Sequence, residues 1–280
     1  MGGQDAVKWS DAHLVFQADG VLHSLPWDLL PFGDQRRSLV QSVGGISQIV
    51  SLSMRTALEN CSTVESPANE PPRILSVYHL SDAEWDHAKG FRSLHSQIFN
   101  HLVPDGWKVD GLANADHLKA SVKNIQALLN SKDRNYRLAA IGGHGSGTDY
   151  GISMLNKQLF TGTGIDFRQL DGLIAISCSL GQMESVYASQ IDGFYVSLAC
   201  HGLKRLLAAR WPVPDALASQ FGYEVIVQWA EFSSANSKGG IYERAVHSVR
   251  QQWLSDYFND PKKNAGKRFV AMAFSHFGCR

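Results

Sequence analysis

Two stretches of the sequence decide the fold: Arg137-Leu-Ala-Ala-Ile-Gly-Gly-His-Gly145 and, further along, Leu173-Ile-Ala-Ile-Ser-Cys-Ser179. Each contains an uninterrupted apolar run and closes on small or polar residues. Strands that are buried on both faces of a parallel sheet have continuous apolar runs, whereas half-exposed strands alternate between apolar and polar residues. The two runs therefore predict buried parallel strands over residues 138–141 and 173–177.

His144 and Cys178 lie at the carboxyl ends of these predicted strands, which is the edge where open α/β sheets bind ligands. The two residues are 34 positions apart, enough for a crossover between neighbouring parallel strands. A cysteine attacks as the thiolate, and a neighbouring histidine can take the thiol proton and later protonate the leaving amine. The sequence therefore predicts a dyad with Cys178 as nucleophile and His144 as base.

Glycines surround His144, at positions 142, 143, 145 and 147. Glycine lets the backbone approach a substrate closely and adopt positive φ. The amides of Gly145 and Cys178 are therefore the predicted donors to the oxyanion of a tetrahedral intermediate.

The composition excludes several classes of function. The 280-residue chain is long enough to bury a full core, and its 26 basic and 26 acidic residues give a formal net charge of zero. No overall attraction to nucleic acid or to a membrane surface is predicted. The sequence shows neither a signal peptide nor an apolar run of membrane-spanning length, which predicts a cytoplasmic location.

The four cysteines stand at positions 61, 178, 200 and 279, without the spacing of a zinc site. So few cysteines in so long a chain predict a reducing compartment rather than a disulfide framework. The histidines lack a His-Glu-x-x-His pattern, and the glycines lack a nucleotide-binding fingerprint. We therefore predict no metal and no cofactor.

Residues 62–72 are polar, proline-rich and without periodicity, which predicts a linker or surface loop. We place a boundary there, between an N-terminal segment over 1–66 and a catalytic core over 67–280. The N-terminal segment is predicted as a hairpin and a helix, over 47–59, that pack on the core. The core alternates strand and helix patterns, which predicts an α/β fold with a mostly parallel sheet of about six strands, the last over 269–274.

Five segments, in this order, resemble the CHAT domain, a caspase-like family in the caspase/separase group of cysteine proteases. They are LHSLPWDLL at 22–30, GGHG at 142–145, ISCSLG at 176–181, AARWPVPD at 208–215 and FVAMAF at 269–274. The resemblance spans nearly the whole chain. It implies a caspase-like α/β/α sandwich, His144 as base and Cys178 as nucleophile.

The sequence departs from the family pattern around the nucleophile. The family commonly has Ala before the cysteine and Asn-Thr-Gly after it, whereas this chain has Ser177 before it and Ser179-Leu-Gly181 after it. The departure predicts a differently shaped loop behind Cys178. Many relatives also carry helical repeats that dock substrates, and none is visible here. A regulatory or recruiting partner would then be a separate chain.

Substrate specificity is predicted from three residues. The position two before the cysteine often lines the S1 pocket in caspase-like proteases, and here it is the uncharged Ile176. Asp82 and Glu84 follow the first core strand, where related folds place pocket residues, and they would favour Lys or Arg at P1. Acidic residues after a strand are also typical of a solvated helix start, so both interpretations stay open.

The residues and the resemblance together predict a cysteine endopeptidase that cleaves a protein partner. Analogy with the family implies a role in a bacterial defence or regulated cell-death pathway. Two alternatives stay open: a catalytically inactive CHAT-type scaffold that binds proteins, and a metal-dependent hydrolase that would not need Cys178.

Overall fold

The computed structural model describes a large part of the chain. The described residues are 12–17, 22, 25, 27, 30–32, 37–43, 45–49, 51–60, 71–79, 89–112, 120–146, 149–154, 157–181, 183–187, 190–235 and 240–278.

The strands, in chain order, are β1 (His13–Gln17), β2 (Pro31–Phe32), β3 (Arg37–Ser38), β4 (Gly45–Ile49), β5 (Arg73–His79), β6 (Lys108–Leu112), β7 (Tyr136–Gly143), β8 (Gly145–Ser146), β9 (Gly151–Ser153), β10 (Leu159–Phe160), β11 (Gly172–Ile176), β12 (Met183–Tyr187), β13 (Gln190–Gly193), β14 (Arg205–Ala209) and β15 (Phe274–Gly278).

The helices are α1 (Leu39–Ser42), α2 (Leu52–Asn60), α3 (Lys89–Leu102), α4 (Val122–Leu129), α5 (Phe194–Ala199), α6 (Asp215–Ser234), α7 (Ile241–Asn259) and α8 (Pro261–Ala273). None of these described helices combines the length and the apolar character that a membrane crossing needs.

Eight strands form the main sheet, in the order β1-β4-β15-β14-β11-β7-β5-β6. All neighbouring strands run parallel except β14 and β15, which are antiparallel. The carboxyl ends of β5, β7, β11 and β14 therefore meet at one edge of the sheet. A small antiparallel sheet, β8 to β10, follows β7 at this edge, and the β12–β13 hairpin follows β11.

Helices cover both faces of the main sheet, so the fold is an α/β/α sandwich. Alternate residues of β11 face opposite layers: Ile174 belongs to the core cluster that contains residues of α3, α6, α7 and α8, and Leu173 belongs to the cluster that contains residues of α2, α4 and α5. Because both faces are apolar, the strand needs a continuous apolar run, as its sequence predicts.

The main sheet has eight strands rather than the six predicted. The N-terminal segment supplies the two additional strands, β1 and β4, and so extends the core sheet; the predicted boundary itself falls outside the described residues. The helix predicted over 47–59 is confirmed only from Leu52, because residues 45–49 form β4. Strand β4 pairs with β1 and β15, and local periodicity does not reveal such long-range partners.

The strand predicted over 269–274 is wrong. These residues close α8, and β15 begins only at Phe274. Val270 and Ala273 are fully buried while Phe269 is 45% exposed, which is the one-sided burial of an amphipathic helix. A short apolar run is compatible with a buried strand and with a helix, so the run alone could not decide.

A buried polar bridge connects β1, β4 and β15. The Ser47 Oγ lies 2.7 Å from Nε2 of His13 and 2.8 Å from Nδ1 of His276. Since a hydroxyl has one proton, Ser47 donates to one ring and accepts from the other. The His13 ring lies over Gly45, where a Cβ would come within 2.4 Å of Nδ1. Side chains thus join the three strands in addition to the main-chain ladder.

Burial lowers the pKa of His276 to about 3, because the interior disfavours the charged imidazolium. The carboxylate of Glu243 opposes this shift, and the charges of His13, Arg205 and Arg250 add to it. Glu243 is itself paired with Arg205, Oε1 to Nε, at 2.7 Å. His276 is therefore neutral in the native protein at neutral pH.

We expect acid to destabilise the protein through His276. Its pKa is about 3 when folded and about 6.5 when unfolded, so below pH 6.5 the unfolded chain binds a proton that the native chain does not. The stability present above pH 6.5 is lost as the pH falls toward 3, by about 2 kcal/mol between pH 7 and 5. Urea unfolding of the wild type and of His276→Asn, which cannot titrate, measures this contribution.

The expected result is a loss between pH 7 and 5 that is about 2 kcal/mol smaller in His276→Asn. Asparagine is chosen because its amide nitrogen can occupy the position of Nδ1 beside Ser47. His101→Asn, at an exposed position of α3, is the control. Equal losses in the wild type and in His276→Asn would contradict the prediction.

Candidate active site

The pairing of β7 with β11 brings His144 opposite Cys178. Each ladder pair between these strands joins residues 34 positions apart, ending with Gly142 and Ile176. His144 and Cys178 are separated by the same 34 positions and lie two residues beyond that last pair. Since the strands are parallel, both residues leave the sheet at the carboxyl edge.

Two glycines beside His144 are required by close backbone contacts. A Cβ on Gly143 would lie 2.7 Å from the carbonyl oxygen of His79. A Cβ on Gly145 would lie only 2.2 Å from the carbonyl oxygen of Cys178. The backbone that follows His144 therefore lies directly against the backbone of Cys178, and any larger residue would push the two segments apart.

A side-chain hydrogen bond links the two strand ends. The Ser177 hydroxyl donates to the Gly143 carbonyl oxygen at 2.6 Å, in a buried position. The two bonded residues, Ser177 and Gly143, immediately precede Cys178 and His144 in the sequence. The link is therefore placed where it can hold the two segments at a fixed separation.

The Gly145 amide is turned away from β9. The Ser153 amide donates to the His144 carbonyl oxygen at 2.8 Å, and Gly145 is the next residue, paired with Ile152. In an antiparallel ladder, a pair of opposite residues that share two main-chain hydrogen bonds alternates with a pair that share none. Gly145 occupies a non-hydrogen-bonded position of this ladder, so its amide points away from β9.

The loop after Cys178 turns sharply and is hydrogen-bonded to β14. Ser179 has a φ of 59°, a left-handed conformation that a non-glycine residue adopts only where its surroundings hold it. The Gly181 amide donates to the Ala209 carbonyl oxygen at 2.8 Å. A Cβ on Gly181 would lie 2.9 Å from the Ala208 carbonyl oxygen. The strands on both sides of β11 thus contribute contacts that shape the loop.

Both residues of the predicted dyad have solvent-exposed surface. His144 is exposed and Cys178 is half-buried with a free thiol. A peptide arriving at the carboxyl edge of the sheet could therefore contact either side chain.

The structure does not place Ile176 in a pocket. Its side chain is 1% exposed and packs against α6. A Cβ on Gly222 of α6 would lie 2.6 Å from the Ile176 Cδ1. A substrate does not reach that position, which corrects the predicted pocket role. Strand alternation could have indicated this, because Ile176 faces the same layer as Ile174. Asp82 and Glu84 lie outside the described residues.

Sequence reasoning missed the role of Arg210, which follows Ala209 and is 7% exposed. Its guanidinium donates to the Gln48 Oε1 at 2.6 Å, to the Leu25 carbonyl oxygen at 3.3 Å and to the Ser275 hydroxyl. It therefore joins the N-terminal segment and β15 to the edge of the sheet that carries Cys178. The segment AARWPVPD contained this residue, but nothing in its local pattern identified the partners.

The part of the chain that the structure describes holds no group of three or more His, Cys, Asp or Glu side chains arranged as metal ligands.

A family model described as the CHAT domain matches residues 3–263 of the chain. No curated protein sequence matches the chain.

Solved structures with the same fold are caspase-like cysteine proteases, which confirms the predicted caspase-like sandwich. The Saccharomyces cerevisiae separase–securin complex has a TM-score of 0.56 and 15% identity, and the match covers 91% of this chain but 15% of that chain. The Arg specific cysteine proteinase gingipain R has a TM-score of 0.58 and 16% identity, covering 95% of this chain and 62% of that chain. The complex of the Porphyromonas gingivalis RgpB pro- and mature domains has a TM-score of 0.57 and 16% identity, covering 96% and 64%. This chain therefore corresponds to a part of each of these longer proteins, and the likeness is one of fold.

Proposed function

The chain belongs to the CHAT domain family, and from this premise we propose that it is a cysteine endopeptidase with Cys178 as nucleophile and His144 as base. One observation carries the proposal: the register of β7 and β11 has the same 34-residue offset that separates His144 from Cys178. A nucleophile and a base at facing strand ends, both accessible, are what acyl transfer requires.

The proposed reaction begins when His144 takes the proton of the Cys178 thiol. The thiolate sulfur attacks the scissile carbonyl carbon, and the amides of Gly145 and Cys178 donate hydrogen bonds to the oxyanion. The tetrahedral intermediate collapses as the carbon–nitrogen bond breaks, and imidazolium gives its proton to the leaving amine. Water, deprotonated by His144, then attacks the thioester and releases the carboxylic acid product and the free thiol.

The proposed substrate is a protein, and a separate chain is proposed to recruit or restrain the enzyme. Two of the structural neighbours support this partner, since separase is bound to securin and RgpB to its pro-domain in those structures. Asp82 and Glu84 remain candidates for a preference for Lys or Arg at P1, a proposal in keeping with the Arg specific neighbour. A role in bacterial defence or regulated cell death is proposed from family membership alone.

Covalent labelling tests the proposed activity. We expect a peptidyl acyloxymethyl ketone to form one adduct per chain, on Cys178, because such probes capture a catalytic thiolate. Cys178→Ala should abolish the adduct and His144→Ala should slow its formation. Labelling of Cys178→Ala equal to that of the wild type would reject the protease assignment. Absence of any adduct, with and without a recruiting partner, would favour the inactive scaffold.

Sequencing of new amino termini identifies the substrate and the P1 residue. Wild type and Cys178→Ala are incubated separately with a proteome, and termini produced only by the wild type mark cleavage sites. A basic residue before the cut would support the role of Asp82 and Glu84, and other residues there would reject it.

A further inference from the structure

Ser177 is the only residue of the segment ISCSLG whose side chain joins the two halves of the site within the described residues. Its hydroxyl donates to the Gly143 carbonyl oxygen at 2.6 Å, and the residue is 3% exposed. The distance is within the usual range for an O–H···O hydrogen bond, and the bond is buried, so bulk water does not compete with it.

The bond lies one step beyond the last main-chain pair of the two strands. That pair joins Gly142 to Ile176, and after it the ladder between β7 and β11 ends. The Ser177 side chain supplies a hydrogen bond where the next main-chain pair would be. It therefore extends the connection to Gly143 and Ser177, which directly precede His144 and Cys178. The bond adds a side-chain connection between the two segments to the main-chain ladder below it.

Gly145 also lies close to the Ser177 hydroxyl. A Cβ on Gly145 would lie 2.7 Å from the Ser177 Oγ and 2.2 Å from the Cys178 carbonyl oxygen. The hydroxyl therefore lies between the residues on either side of His144. A shift of the Ser177 side chain would move both the base and the proposed oxyanion donor.

We propose that Ser177 is a positioning residue that fixes the separation of His144 and Cys178. The proposal rests on the proposed dyad. Ser177 does not touch the reacting atoms, because its proton is donated to the Gly143 carbonyl. Its loss leaves that buried carbonyl without this donor and removes this side-chain link between the two strand ends. A displacement of about 1 Å can lower the rate of a positioned reaction by about 100-fold.

The experiment measures the reactivity of Cys178 independently of any substrate. Wild type, Ser177→Ala and His144→Ala are alkylated with iodoacetamide between pH 5 and 9, and mass spectrometry follows the peptide that contains Cys178. An imidazolium held beside the sulfur keeps the thiolate reactive at low pH. We expect Ser177→Ala to lower the ratio of the rate at pH 6 to that at pH 9 by at least about threefold, in the direction of His144→Ala, and to lower peptide cleavage by about 10- to 100-fold.

A matched control separates positioning from general stability. The Ser197 hydroxyl of α5 also donates to a distant carbonyl, that of Thr161, at 2.8 Å. Ser197→Ala removes a bond of the same kind and should lower the melting temperature, while it leaves the alkylation profile of Cys178 within twofold of the wild type. Ser177→Thr, which keeps the hydroxyl, should restore the wild-type ratio.

The outcomes distinguish the positioning role from the protease assignment. If His144→Ala changes the pH profile and Ser177→Ala does not, the positioning role is rejected and the dyad stands. If both variants change it but no peptide is cleaved, the positioning role is supported and the protease assignment fails. If neither variant changes it, no dyad forms and both are rejected.

Discussion

Replacement of Cys178, the proposed nucleophile, by alanine is expected to lower kcat/KM for peptide cleavage by at least about 10⁴-fold, as removal of the nucleophile does in covalent proteases. The physical reason is that alanine cannot form the thioester, and water held by the remaining groups is a far poorer nucleophile. His144→Ala should cause a loss of similar size, and the double variant should lose little more, because the residues of the proposed dyad would act as a unit. Hydrolysis of a peptide taken from an identified cleavage site is the measurement.

Cys200→Ala is the matched control for this prediction. Cys200 is the other free thiol that the structure describes, and it is exposed beyond the end of α5. Its replacement should leave kcat/KM within twofold of the wild type. If Cys178→Ala retained activity that a chelator abolished, the metal-dependent alternative would replace the dyad.

The second large effect is expected for Gly145→Ala, which should lower kcat/KM by at least about 100-fold. The new Cβ would lie 2.2 Å from the Cys178 carbonyl oxygen and 2.7 Å from the Ser177 Oγ. The carbonyl belongs to the backbone, so the segment that carries Cys178 must itself move to relieve the contact. Peptide hydrolysis and the alkylation rate of Cys178 measure the displacement, and circular dichroism checks that the variant folds.

Gly266→Ala provides the control, because a Cβ at Gly266 would meet only Cδ1 of Leu217, at 2.6 Å. The end of a leucine side chain can rotate away, and alanine is the better helix former in α8 by about 1 kcal/mol. Activity within twofold of the wild type and an equal or higher melting temperature are expected. The argument about Gly145 would fail if Gly145→Ala were as active as Gly266→Ala.

Much of the main sheet could be predicted from local pattern. The apolar run at 138–141 lies within β7, and the run at 173–177 overlaps β11 and extends one residue beyond it. Both runs could be recognised because strands that are buried on both faces of a parallel sheet are mostly apolar. The same argument failed at 269–274, where the run belongs mainly to α8. Strand β4 was also missed, since its pairing partners lie in β1 and near the end of the chain.

The sequence by itself determined the alternation of strands and helices, the position of His144 and Cys178 at strand ends, and the glycines beside them. These follow from side-chain polarity and size along the chain, which are local properties. Only the tertiary structure decided that Ser177 links the two strand ends, that Ile176 faces the core, and that two N-terminal strands extend the sheet. Each of these depends on register between residues far apart in the chain, and a hydrogen bond or a buried face exists only once that register is set.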